Sequence, residues 1–185
     1  FESAWVWEHQ ALTRARYSAG DAAVGAAFEE IRREVLCQSR DLAKLKGEIL
    51  AMRQKMYDAH ATKPGERELV FDLKHDPGGL IDVEFIVQYL VLGYAHQYPQ
   101  LTANLGNLAL LKMAADLGLI PSGLVDAAWD AYRDFRRMQH QLRLNAAKAR
   151  VAPDTVRHQV NAVSALWRAV FENAIFENTK ESYAG

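Results

Sequence analysis

The feature that most limits the fold is an apolar segment that begins directly after Gly78-Gly79. Apolar residues fall on almost every side of a helix drawn through it: Ile81, Val83, Phe85, Ile86, Val87, Leu90, Val91 and Leu92. A helix that is apolar nearly all round must be buried in the middle of a protein. Pro99 closes the segment, because the residue before a proline disfavours helix. The sequence therefore predicts a central helix at about 80–97 with neighbours on all sides.

The neighbours are also predicted to be helices, because glycine and proline are sparse and fall between segments of helical periodicity. The clearest stripe, including its methionines, is interpreted as a packing face: Leu42, Leu45, Ile49, Met52, Met56 and Ala59. Besides 80–97, the predicted helices are 3–17, 21–38 with Asp21 as N-cap, one from the cap Ser39 to about 61, 104–117, 123–150, and one from the cap Asp154 to about 178. Alternation at 69–74 is compatible with one very short β element. We expect an all-α bundle of six or seven helices forming a single domain over 1–185, with a frayed tail at 179–185.

Composition excludes several classes of protein. A formal net charge of −1 argues against a protein that coats nucleic acid, and no apolar run approaches about 18 uncharged residues. We expect neither a nucleic-acid nor a membrane partner, and a cytoplasmic location. The single cysteine, Cys37, rules out an internal disulfide and is expected to be buried. No zinc-type Cys/His spacing, nucleophile elbow or two-metal carboxylate pair occurs, so we expect no catalytic residue and no metal ligand in this chain.

The few polar residues of the central segment are informative because of their surroundings. Glu84 and Gln88 lie four apart and share one face, and Asp82 lies in the first turn, where the helix dipole favours a carboxylate. A buried carboxylate needs a partner or a shifted pKa. Two interpretations stay open: Glu84 pairs with an arginine, with Arg53 as the first candidate, and ties two helices together, or it faces a binding site.

Two further groups of polar residues allow a structural and a functional interpretation. The loop before the central helix carries Asp72, Lys74, His75 and Asp76 and ends in two glycines. Free N–H groups at such a helix start, with a lysine beside them, suit an anion, but Gly-Gly here is equally an ordinary turn. On the long predicted helix, a basic arc is either a solvated face or a surface for an acidic partner: Arg133, Arg136, Arg137, His140, Arg143 and Lys148.

Three segments resemble the bacterial glutamine synthetase adenylyltransferase family, whose members add AMP to glutamine synthetase and remove it. They are Ala4–Arg16, Met52–Met56 and Phe71–Leu90. The third is the most specific, because it matches in order and spacing across twenty residues. The resemblance implies the helical domain that follows the adenylylating nucleotidyltransferase domain in a longer chain, with residues 1–20 leading out of that domain.

The resemblance also implies cofactors, partners and roles. The whole enzyme would use ATP and Mg²⁺, with metal ligands outside this chain, so the chain alone is expected to be inactive. Its partners would be the nucleotidyltransferase domain, glutamine synthetase and the nitrogen regulatory PII protein. Cations that would close over the triphosphate are Arg14, Arg16, Arg53, Lys55 and Lys74. Residues that would orient them or belong to the matching motifs are Glu8, Asp72, Gly78, Gly79, Asp82, Glu84 and Gln88. The alternative is an interaction module that docks glutamine synthetase or the PII protein without touching nucleotide.

Overall fold

A computed structural model describes residues 6–172, and within that range the chain folds into seven α-helices and one two-stranded ribbon. The helices are α1 (Val6–Leu12), α2 (Ala22–Leu36), α3 (Leu42–His60), α4 (Leu80–Tyr94), α5 (Asn107–Asp116), α6 (Ser122–Leu144) and α7 (Arg157–Phe171). The strands β1 (Phe71–Asp72) and β2 (Arg150–Val151) pair antiparallel. The expected all-α class with one very short β element is confirmed.

The central helix is α4. Every residue of α4 except Glu84 and Tyr94 is buried, and α1, α3, α5, α6 and α7 all pack against it. The nearly uniform apolar composition of the segment explains this position, because each fully buried apolar side chain contributes about 1.5–3 kcal/mol. The prediction of a buried central helix is therefore confirmed, although the helix ends at Tyr94 rather than near Gln97.

The packing face predicted on α3 is confirmed in its first half. Leu45 and Ile49 are buried, and Met52 and Met56 are partly buried against the same core. Ala59, at the end of the stripe, is exposed. The stripe thus leaves the core in the last turn of α3, where the chain turns towards the β1–α4 loop.

Two predicted helix boundaries near the start of the chain were wrong. α1 ends at Leu12 instead of Tyr17, because the carbonyl oxygens of Leu12 and Thr13 accept hydrogen bonds from the side chain of Arg32. α3 is capped by Asp41, which accepts from the Lys44 N–H, and not by Ser39. Cys37, expected to be buried, is only partly so.

The end of α6 was also placed wrongly. The helix stops at Leu144 rather than Arg150, because Ala146 adopts a positive φ of 54° and the Ala147 N–H turns back to the Leu142 carbonyl. This turn frees Arg150 to enter β2.

α5 begins at Asn107 rather than 104, and α7 is described to Phe171. The predicted extension of the last helix to 178 and the frayed tail at 179–185 lie outside the described residues.

Candidate functional site

The loop between β1 and α4 is held by carboxylates that bind its own backbone. The two carboxylate oxygens of buried Asp76 accept the N–H groups of Thr62 and Asp72, both at 2.7 Å. The Oδ1 atom of Asp72 accepts the N–H groups of Lys74 and His75, both at 3.0 Å. Since each bond joins a charged acceptor to a fixed backbone donor, the loop has a rigid shape.

Both glycines of the motif are required by close packing. Gly78 has a φ of +82°, and a Cβ atom there would lie 2.8 Å from Val160 Cγ1 and 2.9 Å from Ser164 Oγ of α7. A Cβ on Gly79 would lie 2.9 Å from the Leu73 carbonyl oxygen. The structural interpretation of Gly-Gly is therefore supported: the glycines allow the loop to touch α7 and to fold back on Leu73, the residue after β1.

A buried ion pair joins α3 to the first turn of α4. Arg53 Nε donates to Asp82 Oδ1 at 2.5 Å, and Asp82 Oδ2 accepts the Gly78 N–H at 2.6 Å. A second guanidinium nitrogen of Arg53 donates to the His75 carbonyl at 3.0 Å. Burial raises the pKa of Asp82, while the charge of Arg53 and the Gly78 N–H oppose that rise. The predicted Arg53–Glu84 pair was wrong, because Arg53 contacts the other carboxylate of α4.

Glu84 instead contacts the turn that follows α1, on the opposite side of α4 from Asp82. Its carboxylate lies 3.0 Å from a guanidinium nitrogen of Arg14, and Gln10 Nε2 donates to Gln88 Oε1 at 2.8 Å. The prediction that Glu84 and Gln88 share a face is confirmed. The side chain of Glu84 is 17% exposed and that of Arg14 is 54% exposed, so this pair reaches the surface.

The structure brings two of the five predicted cations to the same end of α4. Asp82 and Glu84, the partners of Arg53 and Arg14, are separated by about 3 Å along the helix axis and about 200° around it. The side chains of the other three, Arg16, Lys55 and Lys74, are exposed and form no ion pair within residues 6–172. Glu8 is also exposed, on α1. Of these five cations, Arg14 alone is both paired with a carboxylate of residues 6–172 and open to solvent.

A cavity of about 600 Å³ lies beside the Arg53–Asp82 pair. It is bounded by α3, the β1–α4 loop and the end of α7, with Tyr57 and Trp167 among its lining residues and Gly78 at the loop. The cavity thus occupies the space next to the residues that the glycine motif brings together.

Two arginines that hold the bundle, the buried Arg32 and the half-buried Arg40, were not predicted from the sequence. Arg32 donates to the carbonyl oxygens of Leu12, Thr13 and Thr102, at 2.8, 3.2 and 2.9 Å. Arg40 donates to carbonyl oxygens near the end of α2 and of α4. An arginine that binds backbone carbonyls has no periodic signature, so nothing in the sequence distinguished these two from the exposed arginines.

The described residues do not fit a magnesium site. Between residues 6 and 172, no group of three or more His, Cys, Asp or Glu side chains is placed to hold a metal ion. The carboxylates of Asp72, Asp76 and Asp82 are already occupied by backbone N–H groups and by cations. In the same part of the chain, none of the helices combines the length and the apolarity needed to cross a bilayer.

Comparison with known proteins agrees with the resemblance found in the sequence. The family model described as GlnD PII-uridylyltransferase matches residues 47–164, more than half of the chain. The chain is 62% identical over 173 residues to a bifunctional glutamine synthetase adenylyltransferase/adenylyl-removing enzyme of Aromatoleum aromaticum, covering 94% of the chain and 18% of that protein. Identity to the enzyme of the same description from Nitrosomonas europaea is 55% over 186 residues, covering 92% and 20%. The chain thus spans about a fifth of the length of the curated relatives it matches, and the resemblance to glutamine synthetase adenylyltransferases is confirmed.

Proposed function

Since the chain belongs to the family described as GlnD PII-uridylyltransferase, we propose that it is a helical region of a bifunctional enzyme that adenylylates and deadenylylates glutamine synthetase. The observation that carries this proposal is the 62% identity, over 94% of the chain, to an enzyme of that description. The region packs against the nucleotidyltransferase domain of the same polypeptide and is not catalytic by itself.

In this proposal, the chain adds positive charge to the nucleotide site. Adenylyl transfer breaks the link between the α- and β-phosphates of ATP, and positioning and charge neutralisation supply most of its catalysis. Arg14 suits the role, because Glu84 orients its guanidinium group while 54% of its side chain remains exposed. Arg16 lies two residues further along the same exposed turn, and Lys74 extends from the rigid β1–α4 loop.

The remaining predicted residues take supporting roles. Arg53 is buried and compensated by Asp82, so we assign it to the stability of the loop rather than to phosphate contact. Lys55 is two residues from Arg53 on α3 and points to the exposed side. Gln88 fixes the position of α1 through Gln10, which keeps Arg14 beside Glu84.

The test is a set of charge deletions in the full-length enzyme: Arg14→Ala, Arg16→Ala and Lys74→Ala. A charged contact to phosphate is worth about 1.5–3 kcal/mol, so each variant is expected to lower the rate of AMP transfer about 10- to 100-fold. Lys112→Ala removes an exposed cation from α5 and serves as the matched control, with unchanged rate expected. A lowered melting temperature with normal kinetics would assign these cations to the fold instead.

A second candidate function is supported by the arginine-rich surface of α6. Arg133, Arg136 and Arg137 are exposed there, as an interaction surface for an acidic protein requires. In that case the region docks glutamine synthetase or the PII protein without touching nucleotide. Binding of either protein by the chain, with AMP transfer unaffected by Arg14→Ala, would favour it. Under both proposals, the chain incubated with ATP, Mg²⁺ and glutamine synthetase should transfer no AMP above background.

A further inference from the structure

A second cavity, of about 380 Å³, lies between α5 and α6 and is lined by Leu108, Tyr132, Arg133, Asp134, Arg136 and Arg137. We refer to it as the α5–α6 cavity. Three of its lining groups are guanidinium cations and one is a carboxylate, so the lining carries a net charge of +2. Its volume lies within the range of about 300–1,000 Å³ that is usual for small-molecule sites.

Two of the three arginines have a local carboxylate. Arg137 lies 3.2 Å from Asp134 Oδ1, and Arg133 lies 3.8 Å from Asp130 Oδ1, both one helical turn away along α6. Exposed pairs of this kind are weak, worth about 0–1 kcal/mol, so a ligand can compete with them. The other carboxylate oxygen of Asp134 accepts a hydrogen bond from Gln159 at 3.1 Å, so this carboxylate is shared between Arg137 and Gln159.

Unused donors point to an anion. Arg136 donates to the neutral amide oxygen of Gln139 at 3.2 Å and pairs with no carboxylate in the described part of the chain. The Tyr132 hydroxyl accepts from Asn107 Nδ2 at 3.1 Å, and its own proton has no acceptor among residues 6–172. Burial raises the pKa of Tyr132, so the hydroxyl remains a donor at neutral pH.

We propose that the α5–α6 cavity binds a small polyanion of the phosphate class, with Arg136 and Tyr132 as its principal donors. Guanidinium groups match phosphate oxygens in paired geometry. A concave site of this volume can enclose a compact anion, whereas a flat protein surface would present only single side chains that do not fill it. Leu108 gives the cavity an apolar wall. The proposal does not depend on the reaction proposed above, because none of Arg14, Arg16 and Lys74 lines the cavity.

The test is isothermal titration of the 185-residue chain with inorganic tripolyphosphate at low ionic strength. Arg136→Gln is expected to weaken binding at least about tenfold, and Tyr132→Phe to weaken it by a smaller factor. Arg143→Gln is the matched control: it lies two turns further on the same face of α6, has the same charge change and does not line the cavity. Circular dichroism of each variant checks that it is folded. If Arg136→Gln proves unfolded, Arg136→Lys replaces it, because it keeps the charge but loses the paired geometry.

The possible results of this titration identify the ligand class or overturn the proposal. Tighter binding of ATP than of tripolyphosphate identifies a nucleotide as the source of the phosphates, and equal binding identifies an inorganic or non-nucleotide source; both support the proposal. Absence of binding, or an equal loss in Arg143→Gln and Arg136→Gln, overturns it, since the attraction is then absent or unspecific. Preference for a hexaglutamate peptide also overturns it, in favour of an acidic protein partner. A negative result leaves the roles of Arg16 and Lys74 in adenylyl transfer untouched.

Discussion

Substituting Asp82 with alanine removes both contacts that fix the first turn of α4. The change deletes the 2.5 Å bond from Arg53 Nε and the 2.6 Å bond from the Gly78 N–H. The side chain of Arg53, only 8% exposed, is then left with its bond to the His75 carbonyl and loses its carboxylate partner. Removing one partner of a buried ion pair costs about 3–5 kcal/mol. We expect Asp82→Ala to lower the free energy of unfolding by that amount.

Two matched substitutions test whether the loss of stability in Asp82→Ala comes from the buried charge that it leaves unpaired. Glu84→Ala removes an ion pair whose arginine is 54% exposed, so water can replace the carboxylate and the loss should be about 1 kcal/mol or less. Replacing Arg53 and Asp82 together, by methionine and leucine, leaves no unpaired charge. Much of the lost stability should therefore return in the double variant.

Urea denaturation followed by circular dichroism gives the free energy of unfolding of each variant. The expected loss for Asp82→Ala corresponds to a fall of about 10 °C in melting temperature, because 1 kcal/mol shifts the midpoint of a chain this size by about 2–4 °C. A loss no larger than that of Glu84→Ala would refute the assignment of Arg53–Asp82 as the stabilising pair. So would a double variant that is less stable than Asp82→Ala alone.

Three further substitutions test other contacts. Gly78→Ala should lower the free energy of unfolding, measured by urea titration, by about 2–4 kcal/mol, because the new Cβ adds a clash with Val160 to the strain of a positive φ. The control Gly118→Ala has a φ of +73° but open space around it, so it should lower that free energy by only about 1 kcal/mol. Burial lowers the pKa of His75 in the folded chain below its ordinary value of 6.5. As the pH falls below 6.5, the unfolded chain therefore binds a proton at His75 more readily than the folded chain does, and the free energy of unfolding decreases. His75→Asn should therefore flatten the decline in unfolding free energy measured from roughly pH 7 to pH 5; an unchanged slope would contradict this reading. Arg32→Met leaves three backbone carbonyls without their charged donor and should cost about 3 kcal/mol or more, and a loss below that of Glu84→Ala would show that water replaces the guanidinium.

The sequence predicted the centre of the fold because burial leaves a direct mark on composition. α4 is apolar on almost every side, which a helix can be only when other elements surround it. The shared face of Glu84 and Gln88 was also predictable, since it depends only on the 3.6-residue period. Local periodicity was sufficient for both features.

The carboxylate with which Arg53 pairs could not be predicted from local periodicity. Arg53 can reach Asp82 or Glu84 only according to where α3 lies around α4, and that position depends on the packing of the whole bundle. The end of α6 was missed for a different reason: Ala146 adopts a left-handed conformation that its residue type disfavours, so no glycine or proline marks the turn. The strand at Arg150 follows from that turn and was missed with it.

The ribbon formed by β1 and β2 has a consequence for the lifetime of the folded chain. Phe71 pairs with Val151 and Asp72 with Arg150, so two strands of two residues each close a loop of 77 residues, from 73 to 149. Closing so long a loop lowers the entropy of the chain, and the ribbon offsets this loss with only a few contacts. We therefore expect the ribbon to form after α4, α5 and α6 have packed. Contacts that form after the folding transition state act on the unfolding rate alone. We expect the ribbon to form after the transition state, so that substitutions in it alter the unfolding rate more than the folding rate.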